Sequence, residues 1–311
     1  MTKTLGDVAE IGADDLLRVS VGIDKEAVHN SLYQHGWCLI RGAAASVSEF
    51  HDVVVSMGFE PAEQYGDLPS FGHRNIFRTT PYPPDAELLF HNEAAHTPTA
   101  PRQVFFFCQH PAREGGSTPI SNGVDALDRL DPKIASALMR EGLIYRRRFV
   151  PGLDVAWSDF FGTSDKVEVE RQCLAQGLAF AWFDGDILQT EYKTVATGSL
   201  ADGRMTMFHQ IALHHPVFLP VEVREYFCSY DPSNRPPREV LLGDGSDLPD
   251  RWAQAIVDAQ IDAGLFFQWR MGDILILDNG IMAHARSTYK GDRENYAMLG
   301  KLKEIYHVWD E

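Results

Sequence analysis

The sequence predicts a mainly β protein with surrounding helices, built on a double-stranded β-helix (jelly-roll) core. Three observations carry that prediction. Short apolar runs bounded by Gly, Pro, Asn and Asp recur along the chain and read as many short strands. Stretches with helical periodicity are few and lie between them. The residues able to do chemistry, His91-Asn92-Glu93 and His284, lie far apart, which suits a fold that sets remote strands side by side. No internal repeat, low-complexity tract or linker divides the chain. Residues 21–311 therefore read as one domain, behind an N-terminal segment, 1–20, whose weak signals suggest mobility.

Asp24 caps a first helix through about His35, closed by Gly36, and Trp37 to Ile40 follows as a buried strand. Ser46 with Glu49 forms a capping box for a helix with Val47, Phe50, Val54 and Met57 on its apolar side, stopped by Gly58. Pro61 to Pro84, rich in Pro, Gly and polar residues, reads as loops. Phe90 to Ala94 is expected to be extended, so that His91 and Glu93 point the same way. Gln103 to Cys108, with three consecutive phenylalanines, suits a strand buried on both faces. Glu114 to Pro119 is a turn into another extended piece. Asp131-Pro132 opens a helix to about Glu141, with Gly142 past its end. Leu143 to Val150 is a strand whose Arg146, Arg147 and Arg148 require a wet or acid-paired face. Asp165 to about Gln176 and Leu248 to Ala263 read as helices; Phe180 to Glu191 and Met205 to Gln210 read as strands. Gly272 to Leu277 is a strand, Asp278-Asn279-Gly280 a turn, and Tyr296 to Tyr306 a final strand.

Composition narrows the classes. The net charge of −16 disfavours nucleic acid and anionic membranes as partners and keeps an acidic surface in solution. Cys38, Cys108, Cys173 and Cys228 have no paired spacing, as expected of reduced thiols and not of a disulfide framework or zinc knuckle. Met1 to Asp15 lacks the apolar core of a signal peptide, and no apolar run is long enough to span a bilayer. A cytoplasmic protein is the expectation.

His-x-Glu is a short pattern that chance readily supplies. Its setting gives it weight. A carboxylate beside the apolar run Leu88-Leu89-Phe90 is costly unless a cation partners it, and a metal is such a cation. One imidazole and one carboxylate on a strand, joined by a distant His284, would cap one face of a metal as the two-histidine, one-carboxylate triad of non-haem Fe(II) oxygenases does.

Further pieces accompany it: Phe105-Phe106-Phe107-Cys108, Glu114-Gly115-Gly116-Ser117-Thr118-Pro119-Ile120, and Gly272 to Asn279 leading to Ala283-His284-Ala285-Arg286. From about Gly36 to Lys301 the chain resembles the Fe(II)/2-oxoglutarate-dependent dioxygenases of the taurine dioxygenase (TauD/TfdA) superfamily. The resemblance is greatest to the natural-product branch that includes the syringomycin-type β-hydroxylases. It implies Fe(II), 2-oxoglutarate as cosubstrate, and O2. It implies His91, Glu93 and His284 as iron ligands, and Thr118 and Arg293 as groups on the carboxylates of 2-oxoglutarate, with Arg286 as second choice for Arg293. Arginine suits a carboxylate because its planar fork is permanently charged. The implied substrate is an amino acid or amino-acid-derived metabolite, free or carried on a protein, hydroxylated at an unactivated C–H bond; desaturation is the related outcome. Halogenases that resemble the family carry a small residue in place of the carboxylate, so Glu93 predicts no chlorination.

The chain departs from the branch at His209-Gln210, commonly Asn-Gln, and at Glu294, commonly Arg. His209 is the one candidate substrate contact in the cluster His209, His214 and His215; the others read as core or surface histidines. Arg78, Arg102 and Arg146 read as structural charges ahead of substrate anchors. Two readings from other classes stand beside the oxygenase: a zinc hydrolase, for which His-Glu-x-x-His is lacking, and a non-catalytic binding barrel. Succinate release under Fe(II), 2-oxoglutarate and O2 separates the first reading from both.

Overall fold

Three phenylalanines in a row cannot share one face of a strand, and their alternation sets up two cores at once. In the computed structural model, which describes residues 3–10, 23–62, 72, 75–79, 82–230 and 235–309, Gln103–His110 is the central strand of a five-stranded sheet. The order is Trp37–Ile40, Ile274–Asp278, Gln103–His110, Glu294–Leu299, Phe77–Arg78. Phe105 and Phe107 face outward, onto Phe50 and Val54 of the helix Val47–Ser56, Met57 just past its end, and Val28 and Leu32 of the helix Lys25–His35. Val104, Phe106 and Cys108 face inward.

The inward side packs on a second five-stranded sheet, ordered Ala9–Glu10, Gly264–Phe266, Ile120–Asn122, Met282–Arg286, Leu88–His91. Ile120 and Met282 of this sheet share a core cluster with Leu39, Leu275, Leu277 and Phe106 of the first. Its far side, with Phe90, Ala283 and Ala285, is covered by Val257 and Ile261 of the helix Asp250–Asp262 and by Leu5 and Val8. The result is two facing sheets between helical layers, the jelly-roll core expected. A four-stranded antiparallel sheet, Ala179–Phe183, Ile187–Thr194, Leu143–Phe149, Arg238–Leu242, completes the architecture. Arg146 there pairs across strands with Glu191 at 2.6 Å and Glu239 at 2.7 Å, and Arg147 pairs with Asp154 at 2.8 Å. The acid-paired face that the three arginines demanded is present.

Local signals predicted most elements well. Asp24 accepts from the N–H groups of Glu26 and Ala27, and Gly36 ends that helix at φ +78°. Asp131 caps Pro132–Glu141 through Lys133 N–H. Five expectations need correction. Phe180 to Glu191 is not one strand but a hairpin, with Ala179–Phe183 and Ile187–Thr194 antiparallel about a tight turn. The extended segment stops at His91, and Glu93 begins a turn in which Ala94 has φ +59°. The strand at Met205 ends at Met207, because His209 turns to bond Asn92. The final strand breaks at Gly300, whose N–H bonds Gln103 O, giving Glu294–Leu299 and Leu302–Glu304. Within the N-terminal segment, residues 3–10 are docked: Leu5 and Val8 are buried, and Ala9–Glu10 pairs parallel to Leu265 and Phe266. Residues 11–20 and most of the Pro61 to Pro84 loop lie outside the described residues. Cys38, Cys108 and Cys173 are buried free thiols, and no helix among the described residues is long and apolar enough to cross a membrane.

Candidate active site

Strand pairing performs what the sequence could only suggest. Leu88–His91 and Met282–Arg286 run antiparallel, with His91 and His284 as direct partners in register. Alternation sends Phe90, Ala283 and Ala285 outward into the core and leaves both histidines facing the space between the sheets. The ring centroids are 4.2 Å apart. His91, Glu93 and His284 each offer one ligand atom, all within 4.8 Å of one another, and His284 Nε2 stands 3.9 Å from Glu93 Oε2.

The donors suit a divalent metal. Burial holds the His91 imidazole down to about 4 and pushes His284 well below its ordinary value, so both are neutral at physiological pH. His91 Nδ1 lies 2.8 Å from Leu89 O; the tautomer selected by that bond donates through Nδ1 and leaves the Nε2 lone pair for a metal. Two neutral imidazoles with one carboxylate match the preference of Fe(II), and their placement on one side leaves the other open.

Thr118, Arg286 and Arg293 line the same cavity, whose apolar wall includes Leu88, Val104, Phe106 and Leu299. Trp269 Nε1 donates to Thr118 Oγ1 at 3.0 Å, which leaves the hydroxyl proton to donate elsewhere. Arg293 Nε donates to Gly116 O at 3.1 Å. Burial, and then the neighbouring Arg286, lower Arg293 to about 10, still protonated at neutral pH. Among the described residues no carboxylate forms an ion pair with Arg286 or Arg293. They differ in how they are used: Arg286 donates to the carbonyls of Tyr82 (2.8 Å), Pro83 (2.6 Å) and Ala86 (2.5 Å), tying down that loop.

The glycine pair before Thr118 makes this wall possible. Gly115 and Gly116 have φ +69° and +71°, and a methyl on Gly115 would stand 2.2 Å from Thr288 O. Gly115→Ala is expected to destabilise the fold by about 1–3 kcal/mol, the usual cost of an overpacked site. A fall of the thermal midpoint checks this; an unchanged midpoint contradicts the crowding.

Sequence reasoning placed His209 at the substrate, but its ring is fully buried and absent from the cavity lining. Its main chain instead holds Asn92, accepting from Asn92 N–H at 3.1 Å and donating to Asn92 Oδ1 at 3.0 Å. Gln210 Nε2 adds a bond to Asn92 O at 3.0 Å. Asn92 and Asn279, both fully buried, are not among the residues to which the sequence assigns a role at the site. The signal available was only their position, beside Glu93 and shortly before His284. Arg102 pairs with Asp278 at 3.2 Å and Arg146 with two glutamates, so both are structural, as expected. His215 caps a short 3-10 turn, accepting from Val217 N–H.

Facing sheets around neutral imidazoles, a carboxylate and guanidinium charge define the class of iron- and 2-oxoglutarate-dependent oxygenases. Comparison with known proteins makes it specific. The taurine catabolism dioxygenase TauD, TfdA family matches residues 3–300, and the chain belongs to that family. It is 30% identical over 221 residues to the dapdiamide synthesis protein DdaC of Enterobacter agglomerans, covering 71% of this chain and 67% of that protein. It is 25% identical over 304 residues to a clavaminate synthase-like protein of Arabidopsis thaliana, covering 92% and 88%. Among solved structures, PvcB of Pseudomonas aeruginosa, an Fe, α-ketoglutarate dependent oxygenase from an isonitrile synthetic pathway, shares the fold. Its TM-score is 0.53 at 13% identity, over 92% of this chain and 84% of that one. Enzymes of this family use Fe(II), 2-oxoglutarate and O2.

Proposed function

We propose that this oxygenase hydroxylates an unactivated C–H bond of an amino acid or amino-acid-derived natural-product intermediate, free or tethered to a carrier protein. In this reading His91, Glu93 and His284 hold the iron, and Thr118 and Arg293 hold the carboxylates of 2-oxoglutarate. One observation supports it above others: the Arg293 charge lines the cavity that the three converging donors share, with no carboxylate partner among the described residues. A buried cation without a counter-ion is costly, and a dicarboxylate cosubstrate supplies one. Arg293 is favoured over Arg286 because the latter's terminal nitrogens already donate to three carbonyls.

When bound, iron and 2-oxoglutarate supply oxidative power by coupling O2 consumption to decarboxylation, with succinate and CO2 released. The chain does the positioning. Glu93 offsets metal charge, the neutral imidazoles supply lone pairs, and the Thr118 hydroxyl and Arg293 fork orient the cosubstrate. Leu88, Phe106 and Leu299 exclude water from the reacting centre. The natural-product assignment draws on the dapdiamide synthesis protein and PvcB as relatives. Buried free thiols accord with a reducing, cytoplasmic setting.

The test is a screen of amino acids, free and carrier-bound, for stimulated succinate formation, followed by product mass spectrometry. The expected product gains one oxygen. Loss of two hydrogens would redirect the assignment to desaturation, and a chlorinated product would refute the role given to Glu93. Absence of stimulated succinate formation throughout the screen would overturn the amino-acid substrate class.

A further inference from the structure

We propose that Asn279 is a positioning residue for the metal site: its carboxamide, carried on the turn before the His284 strand, fixes Glu93 against His284. The inference rests on the reading above that those two residues share a metal.

The geometry is unusually complete. Asn279 Oδ1 accepts from Glu93 N–H at 2.8 Å, while Nδ2 donates to Glu93 O at 3.0 Å and to Pro101 O at 3.0 Å. One carboxamide therefore reads both peptide groups of Glu93, as a neighbouring strand would. Glu93 needs such a partner because its own strand ends at His91. The clasp is reciprocal: Asn92 Nδ2 donates to Asn279 O at 2.8 Å. The turn is itself anchored, with Asn279 N–H on Arg102 O and Gly280 O accepting from Trp309 Nε1, both at 2.8 Å.

The consequence is a short mechanical path. Glu93 and His284 belong to remote parts of the chain, yet through Asn279 the main chain that carries the Glu93 carboxylate is tied to a residue that precedes the Met282–Arg286 strand by one short turn. The strand pair fixes His91 against His284 through its register. It cannot fix Glu93, which lies beyond the ladder. Asn279 supplies the missing constraint. Both asparagines are fully buried, so water cannot replace the bonds, and partners that orient metal ligands typically govern affinity.

The test is Co(II) titration of the metal-free protein, followed by ligand-field absorption, for wild type, His284→Ala, Asn279→Ala and Ser121→Ala. Ser121 pairs with Ala283 in the neighbouring strand, but its hydroxyl bonds Gln260 O on the face of the sheet turned away from His284, so it controls for general loosening of that sheet. Asn279→Ala is expected to weaken Co(II) binding roughly 10–100-fold, the range for second-layer partners of metal ligands, and to alter the spectrum. Ser121→Ala should bind as wild type does. If wild type fails to bind Co(II), or His284→Ala binds unchanged, the metal-site reading itself fails. If His284→Ala loses Co(II) while Asn279→Ala keeps wild-type affinity and spectrum, only the positioning role is overturned. Should Asn279→Ala not fold, hydrogen exchange on metal-free wild type decides. The Glu93 amide should be protected before metal is added; rapid exchange there overturns the clasp.

Discussion

Glu93→Gln is expected to lose tightly bound Fe(II) and, with it, 2-oxoglutarate-dependent succinate formation. The substitution keeps shape and volume while removing the charge, so it isolates the electrostatic part of the site. Glu93 is the single anionic member of the cap, and the two imidazoles are neutral because burial disfavours their charged forms. Without the carboxylate, a divalent ion would sit among neutral donors in a largely apolar cavity, where uncompensated charge is expensive. The loss in metal affinity should exceed the roughly 10–100-fold typical of removing a partner that merely orients a ligand, because a ligand is weakened directly. Metal content after desalting and single-turnover succinate yield are the measurements. Retention of stoichiometric iron with normal succinate yield would remove Glu93 from the metal.

Arg293→Ala is expected to raise the KM for 2-oxoglutarate far more than it lowers kcat. Hydrogen bonds to charged groups contribute about 1.5–3 kcal/mol, which corresponds to roughly one to two powers of ten in affinity. Arg293→Lys should recover only part of this, since an ammonium lacks the planar two-pronged donor and carries a shorter, differently placed charge. Arg286→Ala should act differently. That side chain holds the carbonyls of Tyr82, Pro83 and Ala86, so its loss should loosen the loop and lower the thermal midpoint. If Arg286→Ala raised the KM for 2-oxoglutarate while Arg293→Ala left it alone, the two roles would have to be exchanged.

Much of the fold was legible because its signals are local. The Asp24 and Asp131 caps, the glycine stops at Gly36 and Gly142, and the doubly buried Phe105-Phe106-Phe107 strand follow from side chains acting on their own neighbourhoods. The places where reading failed were decided by partners distant in sequence. Nothing near Phe90 says that the strand must stop at His91, because the turn is imposed by Asn279 and by the His209-Gln210 main chain and side chain. The break at Gly300 likewise marks a change of partner, from Val104 opposite Leu299 to Pro101 opposite Leu302. His209 looked available because a histidine outside a regular element often is; its burial depends on the strand Met205–Met207 delivering it under Asn92.

The amino-acid sequence by itself determined the layered β architecture, and its resemblance to the TauD/TfdA enzymes pointed to the groups proposed for the centre: two imidazoles, one carboxylate, a threonine hydroxyl and a guanidinium. Periodicity, capping and residue chemistry are properties of short stretches, and short stretches are what a linear reading sees. Only the tertiary structure decided which donors converge and how they are held. Register between Leu88–His91 and Met282–Arg286 set the two histidines face to face, and a buried carboxamide completed what the ladder left undone. Convergence of that kind depends on strand pairing and on desolvated hydrogen bonds between remote residues, and those exist only once the chain has folded.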